Sequence, residues 1–224
     1  MDAANQKPKS PLFGKGRSPA GASGNAPTTR RGLTVAQRLF AIAFALLIPL
    51  LATVTVLFNQ QQSDINFAIR ERDGATYVKE IGQLLQIIAL HRGLTYRQGL
   101  GDRDAIGQRQ KVFEEIGIAF AKLDSLDRRF GDVFQSSAVY KALRDGWSNL
   151  AGNLMTRTAA EGFEAHNSLI QDKLFGLLRV VTNNSNLILD PALDTYYLMD
   201  LTTQRFPAVI DSLGQLRGLG AGML

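Results

Sequence analysis

His91, Arg92 and Thr95 are the residues most able to do chemistry, because two of them stand where a helix should be apolar. Tyr77, Ile81, Leu84, Ile88, His91 and Thr95 recur at steps of four and three, the seam of a helix packed in a bundle. Arg92 adjoins the two polar seam positions. Further along, Asn184 stands on another seam, inside the polar run Thr182-Asn183-Asn184-Ser185-Asn186, and Tyr196, Tyr197, Asp200 and Arg205 follow on the last helical stretch. A helical bundle that binds a small polar ligand places such groups in its core. An arginine fork suits a carboxylate or a nitrate-like oxyanion, to which it donates two parallel hydrogen bonds. His91, Arg92, Thr95, Asn184, Tyr196, Tyr197 and Arg205 are therefore the candidate ligand-binding residues. Each has a plainer explanation. A buried histidine is more commonly a hydrogen-bonded core residue, and Arg92 and Arg205 fit surface or interface charges. The adjacent tyrosines face two directions, and the Asn run fits a strained helix end.

No catalytic or metal signature accompanies them. There is no P-loop, HExxH or GxSxG pattern, and Gly218-Leu219-Gly220-Ala221-Gly222 follows a helix rather than a strand. His91 and His166 are the only histidines, too few for a convincing zinc site, and there is no cysteine for a disulfide, a thiolate ligand or a nucleophile. No metal, no cofactor and no enzymatic activity are expected of this chain.

The elements that must position these residues begin with a membrane segment. Leu39–Phe58 is 20 residues without a charge. At about 1.5 Å per residue it spans roughly 30 Å, the thickness of the hydrocarbon layer. Arg38 abuts one end and Asn59-Gln60-Gln61-Gln62 the other, and Pro49 falls mid-span, where a bilayer helix tolerates it. Such a run is too long and too far from the start for a cleaved signal peptide. Residues 1–38 carry seven basic side chains against Asp2, while the remainder carries 18 basic and 19 acidic residues. The net charge of +5 therefore belongs to the tail, where the positive-inside rule accounts for it better than nucleic-acid binding does. With four of the seven prolines and five glycines, residues 1–33 have no apolar period and read as a disordered cytoplasmic tail. The expected organisation is that tail, a transmembrane helix over 34–58, and a periplasmic region over 59–224 anchored in a bacterial inner membrane.

After Gln62 the chain is patterned for helices throughout, and no stretch alternates with period two. The fold expected is all-α, a single N-terminal transmembrane helix followed by an elongated antiparallel helical bundle. The first helix should end near Gln98, before Gly99, Gly101 and Asp102. A second should run from about Arg103 to Arg129, stopped by Gly131 and Asp132. A third begins near Ser136 and continues to Leu187, with a break near Glu161–Gly162. Asp190-Pro191 starts the last helix, with Asp190 as N-cap and Pro191 in the first turn, and Pro207 should bend it. His91-Arg92-Gly93-Leu94 is echoed by Leu216-Arg217-Gly218-Leu219, which leaves open one module or two stacked ones. A helical region that returns to the membrane needs a second apolar 20-mer to re-enter it, so the sequence is expected to be a fragment cut before a return helix.

The order of basic tail, membrane helix, all-helical region with HRGL at His91–Leu94, and LDPALDTYYLMD at Leu189–Asp200 resembles the ligand-binding regions of methyl-accepting chemotaxis proteins, and of related sensor histidine kinases and diguanylate cyclases. The His91-Arg92-Gly93 triplet is similar to the start of the core motif in nitrate- and nitrite-sensing helical domains. The paired look is similar to helical bimodular sensors of small organic acids. The resemblance implies a homodimer in the lipid bilayer and a small ligand such as an organic acid, an amino acid or a nitrate-like anion, with no nucleic acid. It also implies a second membrane helix, a HAMP-type relay and an output module. Three functions follow as expectations: a chemoreceptor sensory region, the same region attached to a kinase or cyclase, or a membrane-anchored scaffold without a ligand.

Overall fold

A computed structural model describes residues 32–188 and 193–220, and for 193–196 the backbone alone. The tail up to residue 31 and the Asp190-Pro191 helix start lie outside the described residues. Among the described residues every regular element is helical. They are α1 (Val35–Gly99), α2 (Asp104–Phe134), α3 (Ser137–Asn153), α4 (Ala159–Ser168), α5 (Phe175–Asn184), α6 (Leu193–Asp200) and α7 (Phe206–Gly220). A short 3-10 turn, Leu154–Thr156, follows α3, and wide π turns, Leu169–Leu174 and Leu201–Arg205, join α4 to α5 and α6 to α7.

The chain divides into two compact units, residues 1–53 and 54–224. In the first, the described helix is apolar and unburied. Pro49 lies inside it without ending it. An 18-residue window near the N-terminal end of α1 reaches a mean hydropathy of 2.6, and none of it is covered by protein. That is long and apolar enough to cross a membrane.

The second unit is built on one apolar core. Tyr77, Ile81, Leu84 and Ile88 of α1 are fully buried, as the four-three spacing requires, and meet Ile116 and Leu123 of α2, Leu143 of α3 and Leu177 and Val181 of α5. Polar ties fix the register. The Tyr77 hydroxyl donates to Asp127 Oδ1 at 3.0 Å, and Tyr140 donates to Asp124, which also receives Arg144 at 2.8 Å.

Two helix boundaries depart from expectation. First, α1 ends at Gly99 as the pattern requires, and Asp102 starts α2 by accepting the N–H of Asp104 at 2.9 Å and of Ala105 at 3.3 Å. But α2 does not stop at Arg129. It runs through Gly131 to Phe134 and is closed by Gln135 at φ 52°. Gly131 serves close packing rather than a break: a Cβ there would stand 2.1 Å from Ser137 Oγ. Second, the interruption after α3 falls at Leu154–Thr158, not at Glu161–Gly162. Thr158 is the N-cap of α4 and shares a reciprocal capping box with Glu161, whose N–H donates to Thr158 Oγ1 at 3.2 Å while Thr158 N donates to Glu161 Oε2 at 2.9 Å. Pro207 follows closely on the π turn Leu201–Arg205, a widening of the turn against which its ring packs.

Candidate functional site

The polar seam residues of α1 are answered from two other elements. His91 Nδ1 lies 2.9 Å from His166 Nε2 of α4, and His166 Nδ1 lies 2.6 Å from the Gly162 carbonyl. A carbonyl only accepts, so His166 donates from Nδ1 and its Nε2 carries a lone pair. His91 must then donate from Nδ1, which leaves His91 Nε2 as a bare acceptor, buried and bonded to no group among the described residues. Thr95 Oγ1 stands 3.5 Å from the same Nδ1. Trp147 of α3 meets the His91 ring edge-on with centroids 5.3 Å apart, and Phe113 of α2 lies at 6.1 Å.

This enclosure keeps both imidazoles neutral. Burial is the first cause, pulling His91 down to about 3, with His166 and the Arg109 cation acting in the same direction. Burial likewise brings His166 down to about 4. The Gly162 carbonyl resists, while Arg92, Arg157 and Arg109 add to the depression. Two imidazoles are half of a tetrahedral metal set, and among the described residues no group of three potential ligands converges.

Arg92, one residue on, is wholly buried rather than a surface charge. Its Nη1 donates to Asp211 Oδ1 of α7 at 2.7 Å and to Asn167 Oδ1 of α4 at 2.9 Å, and neither side chain of the ion pair is exposed. Its guanidinium lies 5.2 Å from the centre of the Phe163 ring. The second oxygen of Asp211 accepts from Gln171 at 2.9 Å and Gln215 at 2.8 Å. The fork that would hold a free anion is thus already holding a carboxylate of the chain itself.

The six candidate residues whose side chains are described do not converge. His91, Arg92 and Thr95 share one stretch of α1. Asn184 donates to the Phe134 carbonyl at 2.6 Å, in the neighbourhood of Tyr77, whose ring is 6.5 Å from that of Phe134. Tyr197 is 62% exposed, and the exposed Arg205 donates to Asp200 at 2.6 Å. The Tyr196 side chain lies outside the described residues.

Two cavities flank the cluster. One, of about 430 Å³, lies between α1 and α7 and brings the two similar tetrapeptides together, Gly93 and Leu94 on one wall and Arg217 and Gly218 on the other. The second, of about 160 Å³, is lined by Thr95, Gln98, Arg109, Arg157 and Thr158. Sequence reasoning passed over Asp211, Arg109 and Arg157. Asp211 did have a signal, as the one charge within Phe206–Leu216. The arginines had none, because Arg109 stands on an ordinary charged helix face and Arg157 in the break before α4. No protein-family model, no curated protein and no solved structure matches the chain.

Proposed function

We propose that this chain is the membrane-anchored sensory region of a bacterial transmembrane receptor, an antiparallel helical bundle outside the inner membrane that takes a small polar or anionic ligand and acts as a homodimer. The observation that carries this reading is that one helix, α1, bears both the unburied apolar segment and the buried polar cluster of His91 and Arg92. A ligand that shifts α1 within the bundle would then move a membrane helix directly, and packed helices switch between discrete arrangements rather than deform continuously. The closed Arg92–Asp211 pair favours a second reading, in which the polar core is structural and the chain a scaffold.

Thermal unfolding of the whole chain in detergent, screened against organic acids, amino acids and nitrate, separates the two. A ligand at a hundred times its Kd adds about 2.7 kcal/mol. For a chain of this size that raises Tm by roughly 5–10 °C. The sensory reading expects such a rise for one chemical class. A flat screen on a chain of full helicity overturns it and leaves the scaffold.

A further inference from the structure

The smaller cavity has the chemistry that the Arg92 site lacks. Arg92, Arg97 and Arg144 each hold a carboxylate of the chain, at 2.7, 2.8 and 2.8 Å. Arg109 of α2 and Arg157 of the turn before α4 line one cavity, and neither makes an ion pair or side-chain hydrogen bond to any described residue. Glu161 is the acid nearest in effect to Arg157, and its carboxylate is committed to the Thr158 cap. Arg109 Nε and Gln98 Oε1 are buried there without a hydrogen-bond partner among the described residues. The histidines behind Thr95 bring no negative charge. The wall between α1 and α4 is drawn tight, since a Cβ on Gly99 would stand 2.6 Å from that of Ala159. The cavity therefore concentrates two unmatched cations, a hydroxyl and an amide around a space that holds roughly five waters at about 30 Å³ each.

We propose that this cavity, between Arg109, Arg157, Thr95 and Gln98, is the binding site for a small carboxylate, held by the two guanidinium groups. Paired guanidinium forks match the planar geometry of a carboxylate, and a space of about 160 Å³ accommodates one of a few non-hydrogen atoms. This inference rests on the sensory reading and names the ligand class and the place where it docks.

The test is thermal unfolding and titration calorimetry of the whole chain in detergent, with acetate, formate and propionate as probes. Sodium chloride serves as the control at equal ionic strength, and nitrate and phosphate as comparators. A saturable rise in Tm with a short carboxylate is expected, with affinity lowered tenfold or more in Arg109→Ala and in Arg157→Ala. Arg157 is exposed on a turn, so its variant should unfold at the temperature of the parent without ligand. Arg103→Ala, an exposed residue outside the cavity, should bind as the parent does. Carboxylate binding undiminished in both cavity variants overturns the assignment while the sensory reading stands. Binding of another compound class alone does the same. A parent chain that binds nothing across the wider screen overturns both.

Discussion

Asp211→Ala is expected to lower the stability of the chain by about 3–5 kcal/mol, the usual cost of leaving one member of a buried ion pair without its partner. Both side chains of the Arg92–Asp211 pair are fully buried, so no solvent screening softens the loss. Asn167 would remain on Arg92, but a neutral amide does not offset a buried charge. Gln171 and Gln215 would also lose their common acceptor. For a chain of this length the change corresponds to a fall in Tm of roughly 6–20 °C, read by circular dichroism at 222 nm. The double variant Arg92→Met/Asp211→Leu should recover more than half of that loss, because it removes the desolvated charges together. An Asp211→Ala chain as stable as the parent would mean that the pair is not buried as described.

The second large effect is a loss of stability in mild acid. His91 and His166 have folded pKa values near 3 and 4, well below the unfolded value of about 6.5. A depressed histidine contributes stability that is complete above the unfolded pKa. As pH falls below 6.5 the unfolded chain takes up protons that the folded chain refuses, so stability declines. At about 1.36 kcal/mol per unit for each group, the pair loses on the order of 2–4 kcal/mol between pH 7 and pH 5. That window lies above the carboxylate range, so the histidines dominate it. The cations facing them are Arg92, Arg109 and Arg157, each of which disfavours a second positive charge on the imidazoles. The double variant His91→Leu/His166→Leu should flatten the dependence between pH 7 and pH 5. A parent whose Tm is constant over that window would show that the imidazoles are hydrated or already protonated in the fold.

Particular residues show what the sequence could carry. The helix period placed Tyr77 through His91 on one buried seam, because burial repeats locally. The glycine at 131 misled because it can end a helix or allow close approach, and only the position of Ser137 decides between them. The Thr158–Glu161 capping box was legible as a T-x-x-E spacing three residues before the break that was expected. The pairing of His91 with His166, 75 positions apart, and of Arg92 with Asp211, 119 apart, belongs to tertiary packing, which no local pattern encodes. The same holds for the two unpaired arginines. What distinguishes them is the acid they do not meet.

Placement in the membrane is the central claim, and the absence of native cysteine makes it directly measurable. Ser18→Cys in the basic tail and Ser148→Cys on the exposed face of α3 give two single-cysteine chains. With a membrane-impermeant maleimide applied to intact bacterial cells, the cysteine at position 148 should be labelled at once and that at position 18 only after lysis. Protection of both until lysis, or labelling of position 18 alone, would contradict an anchored chain with its helical region outside the inner membrane.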